Sequence, residues 1–165
     1  MRKRKGFTMV ELMVVIIIMA ILGLAIMPAL MGSSEKAKYS RAWSDLDAIA
    51  NAFTAYYGRT GDLPTVSGKS LNGSFIANAT EKDLFQSFLG TPLDKLKDPW
   101  GNEYQVATNW GTTPGKGYVI VYVDSENGEA AEDFEGFKGI SVSISPKADP
   151  YNGGKAMAKL VINVM

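Results

Sequence analysis

The sequence contains no cysteine and no histidine. The first absence excludes disulfides, thiolate metal sites and thiol nucleophiles, and leaves the redox compartment unspecified. The second excludes imidazole bases and imidazole metal ligands. Net charge is also absent, because 17 Lys and Arg balance 17 Asp and Glu. That balance does not favour nucleic acid as a partner, although net charge alone leaves a local basic patch open. Within residues 12–31 charge is missing altogether. These 20 residues read LMVVIIIMAILGLAIMPALM. A helix of that length crosses a hydrocarbon core of about 30 Å. The whole chain, at 165 residues, has room for one soluble domain beside such an anchor.

Around the uncharged run the charges are placed unevenly. Arg2, Lys3, Arg4 and Lys5 form a short basic leader. The positive-inside tendency holds such an N-terminus in the cytoplasm and sends the remainder outward. One acid, Glu11, sits at the edge of the run. A carboxylate placed there costs about 2–3 kcal/mol on insertion scales. The nearest cations in the chain are Lys5 before it and Lys36 after it. An ordinary secretory signal would have a shorter apolar core and end in an A-x-A-like site. No such site occurs between Ala20 and Ser34.

Gly6-Phe7, preceded by basic residues and followed by Glu at the fifth position counted from Phe7, resembles the processing site of type IV pilins and type II secretion pseudopilins. Thr8, Leu12 and Pro28 fit the same pattern. The resemblance implies that a membrane prepilin peptidase cuts between Gly6 and Phe7 and methylates the new amine of Phe7. The leader carries four of the 17 basic residues, so the mature chain would keep 13 against 17 acids, a side-chain charge of −4. A plain membrane anchor fits the hydropathy but leaves Gly6-Phe7 and Glu11 unexplained.

Cleavage would place a positive charge four residues before Glu11. The new amine has a reference pKa near ~8 and is largely protonated at neutral pH. Four residues of helix rise about 6 Å. A carboxylate reaching the amine of an adjacent copy therefore favours axial stagger, and a heterologous contact of that kind propagates instead of closing. Pairing of Glu11 with a neighbour's Phe7 is the expected assembly contact. The competing reading is that Glu11 caps the helix start, where the dipole favours an acid.

The helical pattern continues past the apolar run. Tyr39, Ala42, Leu46, Ile49, Ala50, Phe53 and Tyr57 recur at steps of three and four. Asp45 and Asp47 fall off that stripe. One helix is expected over residues 8–57, about 75 Å long. Gly23 and Pro28 are its weak points, since Pro28 withdraws one backbone donor and can kink or open the helix. Related filaments suggest local unwinding there; a mild kink is the alternative. Residues 58–73 form a connector, with a GDLPT segment that again resembles pseudopilins. Asn72 and Asn78 open glycosylation sequons by pattern only. Thr80 is expected to cap a short helix over 81–89 that Gly90 ends.

Asp98, Pro99 and Gly101 suit positions i, i+1 and i+3 of a type I turn, leading into a strand over 103–108. The stretch DPWGNEY closely resembles a signature of major pseudopilins. Strands are also expected over 118–123, 140–145 and 158–164, with Asn152-Gly153 as a hairpin-type turn. The fold class is α+β: a long N-terminal helix against a C-terminal antiparallel sheet of about four strands. The expected division is a leader over 1–6, a membrane and polymerisation segment over 7–31, an amphipathic segment over 32–57 and a head over 58–165.

One loop offers site chemistry. Residues 124–139 read DSENGEAAEDFEGFKG. Calcium takes six to eight oxygen ligands, which such a loop can supply. Major pseudopilins carry a calcium site in the corresponding loop, which is usually richer in Gly-Ala-Asp-Gly than the Asp-Ser-Glu-Asn-Gly found here; Asp124 and Asp133 are the first expected ligands and Glu126 the next. The loop is not an EF-hand, because Gly128 falls at the fifth place. A solvated acidic loop turning at Asn127-Gly128 is the competing reading. The overall expectation is a structural, non-enzymatic filament subunit, most like a major pseudopilin. The partners it implies are further copies of itself, the prepilin peptidase, an inner-membrane assembly platform, minor pseudopilins or pilins, and membrane lipid before assembly, with no nucleic acid. The filament would lie in the periplasm or outside the cell. A type IV pilin and a membrane-tethered calcium or carbohydrate-binding module are the alternatives.

Overall fold

The computed structural model describes residues 6–109, 117–125 and 144–164; for residues 28–31 and 162–164 the backbone alone is described. Two compact units are present, Met1–Ala37 and Lys38–Met165. In the first, helix α1 (Met9–Thr60) begins directly after residues 6–8, which belong to no helix or strand. Every large apolar side chain from Phe7 to Met27 is exposed. Over residues 12–27 the uncharged run thus buries nothing among the described residues, as expected of a segment whose solvent is lipid or other copies of itself.

In the second unit, the remainder of α1 turns one face to the core. Tyr39, Ala42, Leu46, Ile49, Ala50, Phe53 and Tyr56 are buried. The stripe ends on Tyr56, three residues after Phe53, and Tyr57 is only half-buried. Both residues lie at helical steps; helix α2 (Ala79–Leu89) decides between them by setting Phe85 against Phe53 and Tyr56. The helix also runs past Gly58. It ends at Thr60, whose hydroxyl donates to the Tyr56 carbonyl at 2.8 Å. Gly61 then takes φ +76° and donates its N–H to the Tyr57 carbonyl. Only glycine enters that left-handed region at little cost, so the stop lies three residues later than expected.

Helix α2 starts two residues earlier than expected, with a different cap. Asn78 is extended, and its side-chain oxygen accepts from the N–H groups of Thr80 and Glu81. Asparagine at this position satisfies two orphan donors, which Thr80 placed inside the helix cannot do. Gly90 closes the helix as expected.

Strands β1 (Gln105–Thr108), β2 (Gly117–Tyr122) and β5 (Ala158–Val164) form an antiparallel sheet in the order β1-β2-β5. Val106 stands opposite Val121, and β2 pairs with β5 through one irregularity between Val119 and Ile120. Val106, Val119, Val121 and Val123 join the core with Leu46, Ile49, Phe53, Tyr104 and Met157. Ile120 and Tyr122 on the alternate positions are buried too. This is why β2 is β-branched and aromatic instead of alternating with polar residues.

A two-stranded hairpin, β3 (Ala148–Asp149) and β4 (Lys155–Ala156), forms around the hairpin-type turn expected at Asn152-Gly153. Between its strands lies a single 3-10 turn, Pro150–Asn152. Asp149 accepts the Tyr151 N–H there, and Gly154 donates back to the Asp149 carbonyl. Of the strand expected over 140–145, residues 140–143 lie outside the described residues, and 144 and 145 are not in a strand. The described sheets hold three and two strands instead of one sheet of four.

Candidate processing and assembly site

Thr8 and Glu11 build the start of α1 between them. The Thr8 hydroxyl accepts the Glu11 N–H at 3.2 Å. The Glu11 carboxylate returns the bond, its Oε2 accepting both the Thr8 N–H and the Thr8 hydroxyl at 2.9 Å. This is a reciprocal capping box, Thr at the cap and Glu three residues on. Its sequence signal is Thr8-x-x-Glu11, so the helix cap expected of Glu11 is shared with Thr8. Capping and pairing are compatible. Among the described residues Oε1 receives no donor and Glu11 has no ion-pair partner, while a carboxylate has lone pairs for further donors.

Directly before the cap, Gly6 and Phe7 lie outside any helix or strand and are exposed, Phe7 by 84%. A peptidase needs an accessible bond, and the helix begins only after this one. Cleavage at that bond would leave the amine one residue from the cap. Beyond the cap, α1 continues as one helix through Gly23 and Pro28.

The DPWGNEY stretch is a structural fastening. Asp98 accepts the N–H groups of Trp100 and Asn102 through Oδ1, and Gly101 donates to the Asp98 carbonyl. Gly101 has φ +100°, so the fourth place of the turn needs glycine. Two aromatics from this stretch then reach α1. Trp100 meets Tyr39 edge to face at 4.8 Å. The hydroxyl of buried Tyr104 donates to Asp45 at 2.8 Å. Burial, followed by the bond to Asp45, pushes the Tyr104 phenol well above the ordinary tyrosine range. Asp45 is therefore a polar partner of the core, although it lies off the apolar stripe. Trp43, also on α1, donates to Asp149 of the hairpin at 2.8 Å. Sequence reasoning missed both contacts, since their partners lie 59 and 106 residues away.

The expected calcium ligands are only partly placed. Asp124 follows β2 and bridges Pro146, fixing where the acidic loop departs and returns. Its Oδ1 accepts the Ser125 N–H at 2.9 Å. Burial, followed by Asp124, raises the nearby Tyr122 phenol. Glu126 and Asp133 lie outside the described residues. Among the described residues no three acids converge as a metal site.

The family described as the prokaryotic N-terminal methylation motif matches residues 1–27. The core protein G of type II secretion from Vibrio cholerae serotype O1 is 34% identical over 146 residues, covering 87% of this chain and 92% of that protein. The chain belongs to the type II secretion core protein G family. The core protein G of Aeromonas hydrophila is 35% identical over 135 residues, with 80% of this chain and 90% of that protein covered. That of Klebsiella pneumoniae is 35% identical over 107 residues, covering 64% and 76%. The family described as PilW, C-terminal, matches residues 33–119. No solved structure matches the chain. These matches make it a major pseudopilin with a pilin-like α+β fold. The pseudopilin's exposed Gly6-Phe7 bond and its Thr8–Glu11 cap both fall within the methylation motif.

Proposed function

We propose that this chain is a non-enzymatic structural subunit of a helical filament in a type II secretion machine. It enters the inner membrane through residues 12–31 with its N-terminus cytoplasmic. The prepilin peptidase cuts after Gly6 and methylates the amine of Phe7. Copies then join by Glu11 pairing with the amine of the next, on the assembly platform and with minor pseudopilins. The observation that carries the reading is the joint between two features: an exposed Gly6-Phe7 bond outside any helix lies directly before a capped helix start, and every large apolar side chain from Phe7 to Met27 is exposed. The relatives' shared name supports the secretion machine over a surface pilus. The test is the mass of the mature N-terminus. It is expected to begin at Phe7 with one added methyl group, and an intact leader in functional filaments would end the proposal.

Calcium in the acidic loop is part of the same reading. Asp124 supplies an anionic oxygen at the loop's fixed end, a fit that extends to Glu126 and Asp133 by sequence alone. Bound there, calcium would neutralise clustered carboxylates and tie the loop's ends together. Ligand binding to the folded state alone raises stability by mass action. Chelation by EDTA is expected to lower the melting temperature of the detergent-solubilised protein, with recovery on adding calcium but not magnesium. An unchanged melting temperature removes calcium from the proposal.

A further inference from the structure

Outside the N-terminal segment, Tyr151 is the one large apolar side chain that is strongly exposed among the described residues, at 48%. It belongs to a continuous ledge. Tyr151 meets Tyr39 edge to face at 5.5 Å, and Tyr39 in turn meets Trp100. Trp43 is held by Asp149, whose other oxygen accepts the Tyr151 N–H. Two cations lie over the ledge: Lys147 Nζ is 4.8 Å from the Trp100 ring centre, and Lys155 Nζ is 5.4 Å from that of Trp43. Trp43 and Trp100 are only half-buried, and Lys155 is exposed. The neighbouring acids are spent inward, because Asp98 and Asp149 are both buried and hydrogen-bonded. Among the described residues, the charges that lie over the rings of the ledge are those of Lys147 and Lys155.

Tyrosine and tryptophan with lysines among them is the composition of a membrane–water interface, where amphipathic rings sit at headgroup level and cations meet lipid phosphates. The chain tethers the ledge close to such a surface. Tyr39 on the ledge lies eight positions after Met31, the last residue of the uncharged run, a stretch of eight Cα–Cα steps. They span at most about 28 Å in any backbone conformation. A short tether makes even a weak surface contact effectively intramolecular. We infer that the ledge of Trp43, Trp100 and Tyr151, backed by buried Tyr39 and carrying Lys147 and Lys155, docks the head on an anionic lipid surface before the subunit enters a filament. The inference rests on membrane insertion through residues 12–31. Docking would limit the head's orientations at the bilayer and so present subunits to assembly in one attitude.

The test uses the full-length chain carrying Trp110→Phe, which leaves Trp43 and Trp100 as the only tryptophans. It is reconstituted in phosphatidylcholine vesicles, with and without phosphatidylglycerol, containing a lipid spin-labelled at the headgroup. Quenching of tryptophan emission is expected to be at least about twofold stronger with the anionic lipid. Added salt should reduce the difference, as charge attraction is screened. Lys147→Gln with Lys155→Gln should abolish it, with an unchanged urea midpoint as the check on folding. Equal quenching in both lipids, or no salt dependence in the unsubstituted lysine background, overturns the proposal. So does quenching that falls as protein density rises in the anionic vesicles, which would mean that a second copy covers the ledge. Alkaline extraction distinguishes the premise: a chain washed off the vesicles refutes insertion itself.

Discussion

Phe53→Ala is expected to remove about 3–5 kcal/mol of stability from the head. Phe53 is fully buried at the centre of the α1 face, with the rings of Phe85 at 4.7 Å and Phe75 at 6.4 Å. Three separate pieces of chain meet on it: α1, α2 and the loop before α2. It also forms one wall of a cleft of about 320 Å³ lined by Leu63, Val66, Phe75, Val106 and Val119. Truncation would widen a space that already exists, so the neighbours have little reason to close in. The loss is a large share of the 5–15 kcal/mol that holds an ordinary domain. Urea unfolding of the detergent-solubilised protein, followed by tryptophan emission, measures it. Phe53→Leu in parallel keeps most of the volume and should cost less than about 1.5 kcal/mol. A loss below about 1 kcal/mol for the alanine variant would mean that packing on α1 is not what secures the head.

Glu11→Gln should reduce filament yield by tenfold or more, on the order of what removing one partner of a dehydrated charge pair does at each of many repeated contacts. The substitution separates the two roles of the residue. Glutamine keeps an oxygen that can accept the Thr8 N–H, and either residue serves in a capping box. The helix start therefore survives, and only the charge is lost. Insertion and cleavage should proceed, because the bond between Gly6 and Phe7 and the uncharged run are untouched. The readout is the amount of sedimentable filament relative to mature subunit in the membrane. The companion variant Thr8→Val deletes the hydroxyl and keeps the carboxylate; it should weaken the helix start by about 1 kcal/mol and leave assembly nearly intact. Normal filament yield from Glu11→Gln would refute the pairing of Glu11 with a neighbouring amine.

Features written in neighbouring residues were legible in the sequence. The leader, Gly6-Phe7, Glu11 and the uncharged run announce one another within 31 residues. The turn at Asp98 and the strand at 158–164 follow from local chemistry and are found as expected. Features that depend on distant chain were not legible. Gly58 and Gly61 look alike as helix stops until the Thr60 hydroxyl turns back to Tyr56. Asn78 has the pattern of a sequon, and only the path of the backbone shows it as a cap. Tyr56 and Tyr57 are equally periodic, and Phe85 chooses between them. Asp45 and Trp43 carry no signal of their own, since their meaning lies in Tyr104 and Asp149.

The two polar ties on α1 have a mechanical meaning. A machine that moves a subunit by its helix must pass that push to the rest of the molecule. Apolar packing resists separation but lets surfaces slide, because its attraction has no direction. The Tyr104–Asp45 and Trp43–Asp149 bonds have direction, and they grip α1 only two residues apart, from two different parts of the head. A thrust along the helix loads both at once, so neither part can slip along the shaft while the other holds.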